Sequence, residues 1–317
     1  MNVLTRSSPP QRQKRQKNSS SKYDFVKVRV HLSEQHYYVL SRFLLCRMLT
    51  AAKIDYNHAL RIALDLKKRL VDKEQLDVSQ EALQSELFEL MKKHGYGTEH
   101  VRWYKTMASF HHQRIPLIVL IAGTGYTGKS TIATALSERL NVSSVLKTDA
   151  VYELVHIIKE GNCPGSLWDL AGDDFNATID RESVLVCKGM NANLYKSVTD
   201  GKSIIIEGSL VNHVLLEWLL SVIQENQNAQ HPVIVAPFLL IREEASLQQH
   251  TKFESCTFNF ERIRDYQQEL LKLNVEKQQT SPLQVFHVVH VDMDNINSAI
   301  DTIQRNVLSR IAKQVEA

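Results

Sequence analysis

Residues 123–131 read Gly-Thr-Gly-Tyr-Thr-Gly-Lys-Ser-Thr, the G-x-x-x-x-G-K-[ST] spacing of a phosphate-binding loop. The chemistry follows from the residue types. Gly123, Gly125 and Gly128 permit a tight turn that brings backbone N–H groups close to an anion, and the helix that follows aims its N-terminus at the same point. Lys129 then offers a cation to the β- and γ-phosphates of ATP, and Ser130 a hydroxyl ligand to Mg²⁺. Thr124, Tyr126, Thr127 and Thr131 fill the other positions of the cradle, so the whole run is assigned to the nucleotide. The chain has only 11 glycines, and three of them fall in this loop.

Two carboxylates complete a phosphoryl-transfer site. Asp149 follows Val145-Leu146-Lys147-Thr148, and Glu207 follows Ile204-Ile205-Ile206. Glu207 is assigned to the metal side together with Ser130. Asp149 is assigned to the acceptor side, where a carboxylate orients the accepting hydroxyl or takes its proton. Lys129, Asp149 and Glu207 are thus the expected catalytic set. The ordinary alternatives are a helix N-cap for Asp149 and a solvated strand end for Glu207. Mobile cations should close over the phosphates, and Arg242, Lys252, Arg262 and Arg264 come from one lid-like region.

These side chains need a scaffold that gathers them. Ile115–Ala122 is a continuous apolar run that reads as a buried strand entering the loop, and Ile132, Leu136 and Leu140 give the next helix one apolar face. Further strands are expected at Val145-Leu146, Gly201–Gly208, Val233–Ile241 and Val285–Val291. Helices are expected over Val151–Lys159, about Ile179–Thr199, from Leu210 to Val222, around Ile263, and from Ile296 to Ile311. Pro237 demands an edge or a bulge in its strand, and residues 242–257 read as polar and irregular. Strands alternating with helices imply an α/β fold, the kinase-like P-loop NTPase sheet, parallel and flanked by helices. Right-handed crossovers bring the loop, Asp149 and Glu207 to one edge. No guanine-reading N-K-x-D follows.

Residues 23–112 form a separate unit before this 113–317 kinase domain. Tyr23–His31 alternates and reads as one half-buried strand. Ser33 is placed as the cap of a helix carrying Tyr37, Leu40, Phe43, Leu44 and Leu49, and further helices run through Ala59–Leu70, Val78–Met91 and about Thr98–Phe110. The order of a short strand and helices ending in VSQEALQSELFELMKKHGY resembles the ATP-cone type of regulatory nucleotide-binding module, so a small, mostly helical, ATP-cone-like domain is expected.

Composition narrows the class. With 43% hydrophobic and 23% charged residues the chain is ordinary for a globular protein. No run of 18 apolar residues and no apolar signal core is present, so membrane insertion and secretion are not expected and a cytoplasmic location is. Residues 1–22 hold six cations and no acid, leaving the remainder of a +3 chain at −3. This tail is rich in Ser, Gln and Pro and reads as a disordered, solubilising segment, with nuclear import as the alternative. A nucleic-acid partner is not expected, since the folded part is acidic. Cys46, Cys163, Cys187 and Cys256 show no metal spacing, nor do the 13 histidines. Oligomeric state is not encoded in any motif.

The stretches GTGYTGKSTIATALSERL, VLKTDAVYELV and CKGMNANLYKSVTDGKSIIIEG resemble the 2-phosphoglycerate kinase family. YDFVKVRV, HYYVLSRFLLCRMLTAAKI and FHHQRIPLIVLIAGT extend the resemblance to its plant relatives, the low-phytic-acid P-loop proteins. The resemblance implies an ATP- and Mg²⁺-dependent kinase whose partner is a small phosphorylated acid or polyol. It would convert 2-phosphoglycerate to 2,3-bisphosphoglycerate, with a link to phytic acid metabolism. Two departures stand out: Tyr152 occupies a position where archaeal members tend to have Arg, and SLQQHTKFES is poorer in Arg than theirs. An ATP-binding regulatory or pseudo-kinase protein without small-molecule turnover is the alternative.

Overall fold

In the N-terminal unit, short strands and capped helices share one core. The computed structural model describes residues 22–170, 174–226, 232–253, 260–281 and 285–316, apart from the side chains of 22, 24 and 249–253. A helical turn α1 (Lys22–Phe25) leads to a three-stranded sheet. Strands β1 (Arg29–His31) and β2 (Tyr37–Val39) pair antiparallel, and β3 (Asp77–Ser79) pairs parallel to β1 on its other side. Helices α2 (Arg42–Ala51), α3 (Tyr56–Asp72) and α4 (Gln80–Lys93) begin where Ser41, Asp55 and Ser79 accept hydrogen bonds from first-turn N–H groups. Helix α5 (Thr98–His112) starts without a side-chain cap. Val30, Val78, Leu49, Ile62, Leu66, Leu87 and Met91 form the core of this unit.

The structure corrects several boundaries here. The expected strand 23–31 is confined to Arg29–His31, because Lys22–Phe25 coils into a turn in which the Tyr23 hydroxyl donates to Asp72 at 3.1 Å. Ser33 caps nothing: Leu32 N–H donates to the His36 carbonyl at 2.9 Å, closing a hairpin that turns Tyr37–Val39 into a strand. Val78 belongs to β3 rather than to the helix that follows it. Each miss has one cause. A three-residue strand is too short to display a period, so a neighbouring helix absorbs it on paper.

The second sheet has five strands, β4 (Leu117–Gly123), β5 (Ser144–Lys147), β6 (Ile204–Glu207), β7 (Ile234–Ile241) and β8 (His287–His290). They lie in the order β5-β6-β4-β7-β8, and every pairing is parallel. Between and after them run α6 (Lys129–Leu140), α7 (Thr148–Glu160), α8 (Phe175–Asp200), α9 (His213–Glu225), α10 (Glu244–Phe253), α11 (Phe260–Thr280) and α12 (Ile296–Val315). The central strand β4 is buried at every residue. Its alternate side chains feed two cores: Leu117, Val119 and Ile121 face α6 and α12, while Ile118, Leu120 and Ala122 face α8, α9 and α11. Helix α5 is the seam between the units, since Tyr104 packs in the N-terminal core and Met107 and Phe110 pack in the sheet's core.

Pro237 lies inside a strand with partners on both sides, yet the requirement for an edge is met. Ile234 N–H donates to Pro116 O on the β4 side, and Ile241 O accepts from Val291 N–H on the β8 side. Alternation along the strand therefore turns Pro237 toward β8, whose pairing begins only at Phe238. The missing N–H faces no partner strand there. The neighbouring carbonyl on that side, Val235 O, accepts from Arg310 Nη1 at 3.0 Å. Two other expectations change. Residues 244–253 of the supposedly irregular segment form α10, and Leu210 precedes α9 because Asn212 caps it.

Candidate active site

The loop 123–131 joins β4 to α6 at the carboxyl edge of the sheet. Gly123 has φ 144°, and a Cβ there would come within 2.8 Å of the Leu240 carbonyl oxygen, so the crossing of β4 and β7 admits no side chain. The buried Thr127 hydroxyl donates to Thr124 O at 2.9 Å and ties the turn across itself. Lys129 is only 8% exposed, and its ammonium donates to the same Thr124 carbonyl at 2.5 Å. Burial pulls the Lys129 pKa down, while the charges of Asp149 and Glu207 push it up. Those three groups therefore form one electrostatic unit.

Both carboxylates reach this edge, and one glycine makes their approach feasible. Glu207 ends β6, is 2% exposed, and accepts from Ser130 Oγ at 2.8 Å. The solvated-strand-end reading fails for it. Asp149 sits in the first turn of α7 without capping it, because the N-cap residue is Lys147. Its Oδ1 instead accepts from Ser209 N–H at 3.1 Å and from the Thr148 hydroxyl at 3.3 Å. Gly208 lies between Glu207 and Ser209 with φ 147°, and a Cβ there would fall 1.8 Å from Thr148 Oγ1. The end of β6 can thus press directly against the β5–α7 turn.

Of the expected lid cations, the structure separates structural from solvated ones. Arg242, 4% exposed, donates from Nη1 to Tyr126 O at 3.0 Å and from Nε to Ser246 Oγ at 2.9 Å. It clamps the loop from behind, at a residue with φ 61°. Arg262 Nη1 donates to Trp168 O at 3.2 Å and to Leu170 O at 2.7 Å, and its guanidinium lies over the Phe175 ring. Arg264 pairs with Asp265 and Glu244 on the surface. Lys252 lies among the side chains outside the described residues.

A second polar group, which sequence reasoning missed, links α8, the start of α9 and α11. Three residues beyond Ser209, Asn212 Nδ2 donates to Asp180 Oδ1 at 2.9 Å. Burial raises the Asp180 carboxyl, and Asp174 adds to the effect. Tyr266 packs against this pair from α11, its phenol pushed up by burial and then by the Asp180 charge. Trp168 meets Tyr266 and Phe175 at ring distances near 6.0 Å and covers Gly125, where a Cβ would stand 3.3 Å from the indole nitrogen. Asn212 directly before an apolar helix and Gly208 directly after a strand-ending Glu were the available signals. Tyr152 is buried in the core beneath, and its hydroxyl has no hydrogen-bond partner among the described residues. Among the described residues no cluster of three or more His, Cys, Asp or Glu is arranged to hold a metal.

A parallel sheet of this strand order, with its central strand running into a phosphate-binding loop at the start of a helix, defines a kinase-like P-loop NTPase. More particularly, the chain is similar to several proteins named 2-phosphoglycerate kinase. It is 29% identical to that of Pyrococcus horikoshii over 180 residues, covering 53% of this chain and 60% of that protein. The Methanocaldococcus jannaschii enzyme is 28% identical over 192 residues, 56% of this chain and 60% of that one. The alignment to the Methanococcus vannielii protein is longer, 23% over 264 residues, 74% of this chain and 80% of the relative. The chain thus spans about three fifths of the length of the first two. A solved shikimate kinase from Acinetobacter baumannii is 17% identical with a TM-score of 0.36, covering 65% of this chain and 98% of that chain. No family model matches the chain. Among the described residues, no helix is long and apolar enough to cross a membrane.

Proposed function

We propose that this protein is a small-molecule kinase that transfers the γ-phosphoryl group of ATP to a phosphorylated acid or polyol. The first candidate acceptor is 2-phosphoglycerate, which would give 2,3-bisphosphoglycerate. The observation that carries the reading is the contact of Ser130 with buried Glu207 beside Lys129 and Asp149, at the mouth of the phosphate loop. A serine hydroxyl and a carboxylate are hard oxygen donors, and Mg²⁺ uses few protein ligands when phosphates supply the others. Ser130 and Glu207 fit that ion, which would supply charge neutralisation at the phosphates.

The chain's own groups divide the remaining work. Backbone N–H groups of 123–130 and Lys129 hold the phosphates. Asp149, fixed by Ser209 N–H and Thr148, is positioned to receive the proton of an acceptor hydroxyl. Asp180 and Asn212, joined across α8 and the start of α9, are the further polar groups assigned to the acceptor side, and Trp168 packs over Gly125 of the loop. The connection to phytic acid is part of this reading through the resemblance to plant proteins, and a nucleotide-sensing role for residues 23–112 through the resemblance to ATP cones.

A second reading, an ATP-binding regulatory protein without turnover, draws on the lid. Arg242 and Arg262 spend donors on backbone carbonyls, and Arg264 pairs on the surface. One panel separates the two. Full-length protein with Mg²⁺–ATP is offered 2-phosphoglycerate, inositol phosphates and unphosphorylated polyols, and products are read by mass spectrometry. A product gaining one phosphoryl group supports the kinase; ATP binding without any product across the panel supports the regulator.

A further inference from the structure

The amino edge of the large sheet, opposite the phosphate loop, carries a cleft of about 320 Å³. It lies where α5 runs into β4, where β5 begins at Ser144, and where α8 turns into β6. Three cations line it, Arg114, Lys196 and Lys202, and no carboxylate does. The remainder of the wall is rich in donors, with Asn141, Asn193, Ser143, Ser144 and Ser203. Among the described residues Arg114 and Lys196 have no ion-pair partner, and only Lys202 meets an acid, Asp200, at 3.1 Å. The Nε2 of His111 is buried at this wall without a hydrogen-bond partner.

An acid-free wall of this kind has one competing explanation. Helices α5, α6 and α8 all end here, and cations commonly sit at helix C-termini to offset the carbonyl dipoles. Several of those carbonyls are already taken by cap N–H groups, however. Gln113, Arg114 and Ile115 N–H groups take Ser109, His111 and Phe110 O; Asn141 and Val142 take Glu138 and Ser137 O; Lys202 takes Ser197 O. Each helix end is thus partly closed by its own cap, and Arg114 and Lys196 make no ion pair among the described residues. The backbone is also held tightly at this point: Gly201 (φ 65°) abuts the Arg114 carbonyl, where a Cβ would come within 2.1 Å, and Arg114 itself has φ 53°. Such conformations persist where surrounding structure over-determines them.

The geometry points to this cleft as a second binding site, for a compact polyanion bearing phosphate groups, separate from the ATP loop. Its size, at the lower end of small-ligand pockets, suits a ligand of two phosphates on a short carbon frame. The site spans the last helix of the N-terminal unit and the first residues of β5 and β6, the two strands whose far ends lead to Asp149 and Glu207. Occupancy would therefore brace the seam between the units and both strands at once. Because the claim concerns binding at a surface remote from the loop, it stands or falls independently of the kinase reading.

The test is calorimetric titration of full-length protein, its phosphate loop saturated with Mg²⁺–ADP. One arm uses inorganic pyrophosphate and the other 2,3-bisphosphoglycerate. Wild-type protein is compared with Arg114→Glu/Lys196→Glu, two exposed positions where reversal leaves the fold intact, verified by an unchanged thermal transition and unchanged ADP affinity. The expected result is one additional site in wild type whose affinity falls about ten- to a hundredfold in the variant, the loss of charge-assisted hydrogen bonds. Tighter binding in the second arm than the first assigns the site to a carbon-borne bisphosphate, and the reverse assigns it to free pyrophosphate. No heat in either arm, or equal affinity in wild type and variant, overturns the proposal.

Discussion

The two halves of the carboxyl edge are built in different ways. On the donor side, nearly every group belongs to one continuous run, 123–131, and is fixed by its own backbone: Thr127 to Thr124, Lys129 to Thr124, and a glycine at the crossing with β7. On the proposed acceptor side, Asp149 comes from α7, Asp180 from α8, Asn212 from the start of α9, Tyr266 from α11, and Trp168 from a connecting turn. The donor half is local chemistry; the acceptor half is tertiary chemistry. Local construction makes the phosphate loop portable among many proteins, whereas distributed construction lets the acceptor change while the loop stays the same.

That contrast can be broken by substitution. Second only to the loss of Lys129, the largest effect is expected from Glu207→Gln, which keeps the shape and removes the charge beside Ser130 and Lys129. Turnover should fall about a hundred- to a thousandfold with the Mg²⁺ requirement raised. A smaller loss, with unchanged Mg²⁺ titration, would move the metal-side role elsewhere. Next is Gly208→Ala, where a Cβ meets Thr148 Oγ1 at a φ that only glycine favours. It should cost about 1–3 kcal/mol of stability by thermal or denaturant unfolding. Activity should fall by more than unfolding explains, because the two carboxylates are pushed apart.

Arg262→Ala should leave ATP affinity nearly unchanged and raise the acceptor KM several-fold, since it frees the Trp168–Leu170 turn from α11. Equal effects on ATP and acceptor would mean that the halves are not separable. The smallest effect concerns His156, which bridges α7 to α8 by contacting Glu182 at 2.8 Å and Glu160 at 3.1 Å. The hydrogen bond to Glu182 is the main cause of its raised pKa. A group raised on folding contributes stability in full below its unfolded pKa, about 6.5, and loses it as pH rises through the folded value. The stability gap between wild type and His156→Gln should therefore be widest in mild acid and close toward alkaline pH. A gap independent of pH would assign the histidine to packing alone.

Much of this was legible in the chain because the signals were local. The loop spacing, the apolar β4 run and the strand-ending Glu207 each lie within a few consecutive residues, so burial and turn chemistry mark them directly. Asp149 was singled out, but its anchorage was not, because Ser209 N–H arrives from the turn after β6, 60 residues on. Asp180 and Tyr266 were invisible for the same reason: on a helix, a carboxylate bonded to a neighbouring element looks like a solvated one until its partner is known. The hairpin at 29–39 was missed because strands of three residues carry no period. Tyr152 illustrates the converse. Sequence reasoning placed it where a substrate-facing arginine was expected, and the structure buries it in the core.

The most direct test of the account is transfer of ³²P from γ-labelled ATP in the presence of Mg²⁺ and 2-phosphoglycerate, comparing wild type with Lys129→Ala. The account predicts a labelled bisphosphorylated product from wild type and a rate at least about a thousandfold lower from the variant, whose thermal transition is unchanged. Label transfer at the same rate by both proteins would contradict it.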